Sequence, residues 1–464
     1  MTLDPKDWDA FRASAHKMLD ASIDKLANAN EGRVWTPLPE AEKATIQADL
    51  PIQGKSTDEM QKQLQSFLPY GVGNTHPRFF GWVHGTGAPS GLMAEIAAAA
   101  MNVNAGGRDH VAPVVERQVL AWSAEMMGMP AATSGLIVSG TSMATIIALK
   151  VARDQAMQGA NGALVGYTSE QTHSCVAQAF DILGLGREHL RKITCNAALE
   201  MDISALKAAI AKDKAAGFMP FLIVGTAGAV NMGAIDDLES LADIAADQGM
   251  WFHIDGAFGA TAKIGQHARA RLTGVARADS LAFDFHKWLQ VNYEAGCVLI
   301  RDEAAHRAAF SDRPEYLRGS ERGLAGGAFW AVDYGPELSR GFRALKVWAH
   351  LKEHGVAALA AVIDRNIEQA QYLERLVKAS DKLEMLAPVP LNICCFRYKF
   401  DRDCDALNEE IVVRLQESGI AVPSTTVLGG HMAIRVNLTN HRTRESDLDM
   451  LVEAVVRIGG ELET

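Results

Sequence analysis

Between Pro89 and Lys346, short apolar runs rich in β-forming residues (ALVGY, FLIVG, WFHI, SLAFD and CVLI) alternate with Ala-rich stretches of helical character. Parallel strands need a crossover between them, usually a helix, so this alternation predicts an α/β domain with a largely parallel sheet. Upstream, residues 1–88 read as a helical segment. Its amphipathic pattern runs from Asp7 to about Leu68, breaks at Pro37, Pro39 and Pro51, and carries too little apolar content for a core of its own. Such a segment is expected to pack on another domain or subunit. Downstream, residues 347–464 hold the long helical stretch GVAALAAVIDRNIEQAQYLERLV, then the strand runs NICCFRY and HMAIRVNL around the helix ALNEEIVVRLQESG, which together predict a smaller α+β domain. A chain of 464 residues exceeds what one core serves, in keeping with this division into 1–88, 89–346 and 347–464.

Composition narrows the partners. The net charge of −11 comes without any block of Lys or Arg that could follow phosphates, which argues against nucleic acid and anionic membranes. Cys175, Cys195, Cys297, Cys394, Cys395 and Cys404 form no C-x-x-C pair and no zinc spacing with His, so reduced structural thiols and no metal are expected. The N-terminus is charged, and no stretch approaches the roughly 20 apolar residues of a membrane span. A cytosolic protein is the expectation.

In open α/β sheets ligands bind beyond the carboxyl ends of strands. Four chemically able residues stand there: His173 after ALVGYTSEQT, Thr226 ending FLIVG, Asp255 ending WFHI, and Lys287 just after SLAFDFH. A lysine between apolar runs is partly desolvated, which frees its amine to form an imine with an aldehyde. A surface lysine at a turn is the plainer alternative. Asp255 shifts the balance, because a carboxylate ending an apolar strand needs a cation, and a protonated pyridine nitrogen is one. A helix N-cap is its plainer alternative. Ser139-Gly140-Thr141-Ser142 opens the helix MATIIALKVARDQA and offers backbone N–H groups and hydroxyls to an anion, although Ser and Thr also cap helices routinely. Gly85-Thr86-Gly87 lacks the spacing of a dinucleotide fingerprint, and Gly54-Lys55-Ser56 lacks the upstream glycine of a P-loop.

In order and spacing, HPRFFGW, SGTSMAT, THSCV, GTAGAVNMGAIDD, HIDGAFG, DSLAFDFHKWL, EYLRG and GFRALKVW resemble the group II pyridoxal-phosphate decarboxylases, the family of aromatic L-amino-acid and glutamate decarboxylases. The resemblance runs from about His76 to Thr443. It implies an aminotransferase-like large domain of fold type I, pyridoxal 5′-phosphate as cofactor, and decarboxylation of an L-amino acid, aromatic favoured, to the amine and carbon dioxide. Lys287 would be the Schiff-base lysine and Asp255 the partner of the pyridine nitrogen. Ala257 and His173 would cover the two ring faces, Thr226 would lie near the ring, and His286, Thr141 and Ser142 would serve the phosphate. Tyr316 matches the tyrosine of a mobile loop that reaches the neighbouring subunit's site, which implies a homodimer. A phenylalanine there marks related aldehyde synthases, so tyrosine favours plain decarboxylation.

The substrate pocket departs from the pattern. Trp82, Val83, His84 and Gly85 stand where aromatic-acid enzymes typically carry Tyr-Phe-Pro-Thr, and Asp284 stands where many relatives have Asn. An acidic amino acid decarboxylase, a carbon–carbon lyase or an aldehyde synthase on the same cofactor therefore remain open. So does a catalytically silent ligand-binding homologue, since fold alone does not guarantee activity.

Overall fold

The computed structural model describes residues 2–159, 162–312, 320, 322–327 and 329–463. Seven strands form the larger sheet: β1 (Ser134–Val138), β2 (Leu164–Ser169), β3 (Leu190–Ile193), β4 (Met219–Thr226), β5 (Trp251–Asp255), β6 (Ser280–Asp284) and β7 (Gly296–Ile300). Their order is β1-β7-β6-β5-β4-β2-β3. The pairs β2–β3, β2–β4, β4–β5 and β5–β6 are parallel, whereas β7 runs antiparallel to both β6 and β1. The reversal has a local cause. Residues 285–295, which join β6 to β7, contain no helix to carry the chain back across the sheet.

Alternate strand residues feed two separate cores. Ile137, Ile223, Leu281 and Phe283 belong to one, and Leu136, Val138, Leu222, Val224 and Ala282 to the other. Both faces are covered, so the strands read as continuous apolar runs without polar alternation.

The smaller sheet is antiparallel: β8 (Leu383–Met385), β9 (Ile393–Tyr398), β10 (Ser424–Leu428) and β11 (His431–Asn437), in the order β10-β11-β9-β8. Helices Cys404–Ser418 and Glu445–Glu463 bury Ile411, Leu415, Leu448, Leu451 and Val455 in its core. The helix Arg343–Ala379 links the sheets, with Val347 to Ile367 in the first core and Ala370 to Val377 in the second. It breaks at Gly355, whose φ of 73° and ψ of 157° only glycine adopts easily.

At the N-terminus, helices Trp8–Ala27, Glu40–Ile46 and Thr57–Phe67 bury almost nothing apolar. The chain between and after them docks on the smaller sheet's unit. Val34 N–H donates to Gly419 O at 3.0 Å, and Phe79 bridges Val422. Among the described residues no helix is long and apolar enough to cross a membrane.

Candidate active site

The carboxyl ends of the parallel strands open onto one cavity of about 570 Å³. Thr226, Asp255 and Asp284 are the last residues of β4, β5 and β6, and strand register sets Thr226 beside Asp255 and Asp255 beside Ala282. The loop after β2 contributes His173, the loop after β5 Ala257, and the turn after β6 His286 and Lys287, while Thr141 and Ser142 enter from the helix that follows β1. All eight sequence-identified cofactor positions thus meet in one cavity. Of the four pocket positions, Trp82, Val83 and His84 line it and Gly85 does not. Gly85 instead packs so closely on the turn after β6 that a Cβ would overlap the carbonyl oxygens of His286 and Lys287. Its smallness serves backbone approach, which corrects the expectation that it shapes the substrate space. Tyr316 lies outside the described residues.

Charge is concentrated at the cavity floor. The Asp255 carboxyl is pushed above its ordinary range by burial, against the pull of Lys287 and the Ala257 N–H, which donates to Oδ1 at 3.2 Å. Lys287 Nζ lies 2.8 Å from Asp284 Oδ2. Burial also pulls the His286 imidazole below its usual range. Its Nδ1 sits 3.1 Å from both the N and the O of Ala295, and its ring lies 4.4 Å from that of Tyr293. Thr226 Oγ1 contacts Thr172 Oγ1 at 2.9 Å, and His173 Nδ1 accepts from Cys175 N–H at 3.2 Å.

Three polar lining residues had no interpretation from sequence. Asp284 shows its part only through the ion pair with Lys287, three residues on. Tyr293 and Glu294 reach the cavity from the loop between β6 and β7, a position that no local pattern marks.

Pyridoxal phosphate fits this chemistry at three points. The helix Thr141–Met157 starts without any side-chain cap, and Thr141 Oγ1 is buried with no partner among the described residues, as a phosphate-binding helix terminus requires. The Asp255 side chain, 3% exposed as a residue, accepts only one backbone bond among the described residues, leaving capacity for a ring N–H. The Lys287 amine lines the same space.

Comparison with known proteins agrees. The pyridoxal-dependent decarboxylase conserved domain matches residues 39–399. An aromatic-L-amino-acid decarboxylase of Bacillus atrophaeus is 34% identical over 436 residues, covering 90% of each chain. Tryptophan decarboxylase 2 of Oryza sativa subsp. japonica is 29% identical, covering 96% of this chain and 94% of the relative. The crystal structure of Oryza sativa TDC with PLP and tryptamine superposes with a TM-score of 0.92 at 26% identity, over 100% of both chains. A cavity that suits the cofactor, reached by motifs in the family's order and matched along most of the chain, leaves one assignment: the chain belongs to the pyridoxal-dependent decarboxylases and is a pyridoxal-phosphate-dependent amino acid decarboxylase.

Proposed function

We propose that the enzyme removes the α-carboxylate of an aromatic L-amino acid as carbon dioxide, acting as a cytosolic homodimer. The observation that carries this reading is the meeting of the Lys287 amine and the Asp255 carboxylate in a cavity whose outer wall contains Trp82, His84 and Tyr293. When bound, pyridoxal phosphate supplies an aldehyde for Lys287 and a protonated ring that draws electrons from the bond to the departing carboxylate. Asp255 keeps the proton on the ring nitrogen. Thr141, Ser142 and His286, with the uncapped N–H groups of the helix start, bind the phosphate. His173 and Ala257 would confine the cofactor ring, with Thr226 near it. Lys287 would hold the cofactor through its amine, within reach of a substrate amine in the same cavity. Tyr316 of the neighbouring subunit delivers the proton to the substrate Cα.

Among the described lining residues Lys287 is the only lysine or arginine, so an acidic side chain would meet no dedicated cation. This favours an aromatic over an acidic substrate. Met93 and Ile96 on helix Pro89–Met101 and Val114 on helix Val111–Met127 are exposed at 64%, 51% and 66%, apolar surface that a second subunit would cover. Six free cysteines without a disulfide suit a reducing cytosol.

Borohydride reduction of the cofactor-loaded enzyme tests the assignment. Mass spectrometry should find the cofactor's mass on the peptide that contains Lys287 and nothing on Lys287→Ala. Labelling at another lysine refutes it.

A further inference from the structure

The Trp82–His84 segment forms one wall of the cavity, and it is fastened from behind by the smaller sheet. Trp82 holds a φ of 49°, a left-handed conformation that a bulky residue resists. Its carbonyl accepts from Arg435 Nη1 at 2.8 Å and Asn437 Nδ2 at 2.6 Å, and its N–H donates to Ser424 Oγ at 3.2 Å. The His84 carbonyl accepts from Thr439 Oγ1 at 2.7 Å. Four side chains therefore fix the backbone, and backbone strain maintained in this way at a cavity is characteristic of a recognition element.

On this wall the His84 ring stands among Phe79, Trp82 and Tyr293, with centroids 5.6, 5.9 and 5.8 Å away. Its Nδ1 is buried with no partner among the described residues, which leaves Nε2 as the ring nitrogen available to the cavity that His84 lines. Burial, reinforced by the nearby His286 and Lys287, pulls the imidazole below its usual range, so the ring is neutral at neutral pH. A neutral imidazole carries a single N–H. The tautomer follows from hydrogen-bond accounting: a buried N–H without an acceptor is rarer and costlier than an unused lone pair, so the proton belongs on Nε2, facing the cavity.

We propose that His84 Nε2–H is a specificity determinant that donates a hydrogen bond to a ring hydroxyl, and that the preferred substrate class is L-amino acids with a phenolic side chain. The inference rests on the reading of the enzyme as an aromatic amino acid decarboxylase. A phenol oxygen would accept from the imidazole, while Trp82 and Tyr293, which line the same cavity, offer its ring aromatic contact. A phenyl ring offers nothing to accept with, and an indole N–H is a donor that meets another donor.

The test uses the cofactor-loaded enzyme with L-tyrosine, L-phenylalanine and L-tryptophan. The expected kcat/KM for tyrosine exceeds the other two by about tenfold, the value of one neutral hydrogen bond. In His84→Phe, which keeps an aromatic ring, the ratio of tyrosine to phenylalanine should fall to near one, and in His84→Gln, which keeps an N–H donor, part of it should return. An equilibrium measurement on the unaltered enzyme stands apart from turnover and from the folding of variants: 4-hydroxyphenethylamine should bind about tenfold more tightly than phenethylamine. Equal binding of the two amines, equal use of tyrosine and phenylalanine, or a preference that survives His84→Phe overturns the role of His84 while decarboxylation stands. Release of no amine from any of the three amino acids overturns the reading beneath it.

Discussion

Asp284 Oδ2 holds Lys287 Nζ at 2.8 Å across the turn that follows β6, where Asp284 itself is 2% exposed. A buried carboxylate this close fixes the direction of the amine through a direct hydrogen bond. Asp284→Ala should lower kcat/KM about tenfold to a hundredfold, the range expected for losing such a bond. Asp284→Asn, which keeps a hydrogen-bonding group, should lose less. Carbon dioxide release from preparations of matched cofactor content measures both, and an alanine variant as active as the parent would show the pair to be incidental.

Tyr316→Phe should divert part of the reaction towards aldehyde and ammonia. On the proposed role the hydroxyl is the proton source, and without it oxygen would compete for the substrate Cα. Product analysis by mass spectrometry checks this, and an amine-only profile in the variant would exclude Tyr316 from that task.

Glu116 and Arg340 form a buried ion pair at 2.7 Å, with side chains 3% and 1% exposed. Glu116 also accepts from the Ile137 N–H of β1 at 2.9 Å, which ties the sheet's edge to the segment before the long linking helix. Glu116→Ala removes the buried carboxylate that pairs with the guanidinium and should destabilise the fold by about 3–5 kcal/mol. Replacing both partners, as Glu116→Leu with Arg340→Met, should cost less than the single change. Urea unfolding of the two variants decides, and a double variant weaker than the single one contradicts the argument.

His306 uses both ring nitrogens, with Ser134 Oγ 2.9 Å from Nδ1 and Tyr334 O 2.8 Å from Nε2. Burial pulls its pKa down to about 4 from the ordinary imidazole value of 6.5. Below pH 6.5 the unfolded chain takes up a proton that the folded chain refuses, so this stabilising contribution is present above that pH and is lost as pH falls towards 4. The loss amounts to about 1.4 kcal/mol per pH unit. The difference in melting temperature between the parent and His306→Gln should therefore shrink from pH 7 to pH 4. A constant difference would mean that the imidazole titrates alike in both states.

Much of this architecture was legible because burial on both faces left β2, β4, β5, β6 and β7 as uninterrupted apolar runs. β1 and β3 escaped the sequence reading for different reasons. Gly135 dilutes the apolar character of SGLIV, and β3 is a four-residue edge strand whose middle pair is Arg191 and Lys192. Edge strands often carry such charges, which discourage pairing with other chains. The residues at strand ends were readable from the chemistry they need. Gly85 was misplaced, since a glycine's role depends on the backbone that approaches it, here the carbonyls of His286 and Lys287, more than two hundred positions away in sequence.

The anchorage of Trp82 by Arg435 and Asn437 assigns the two halves of the reaction space to different bodies. Acid and amine are borne by one sheet, while the Trp82 part of the cavity wall is suspended from the other. Selection can therefore retune what enters by altering packing beneath the smaller sheet, far from any reacting atom, and leave bond-breaking competence intact. Substrate range in such a scaffold is a property of how two modules are joined as much as of the side chains that touch the guest.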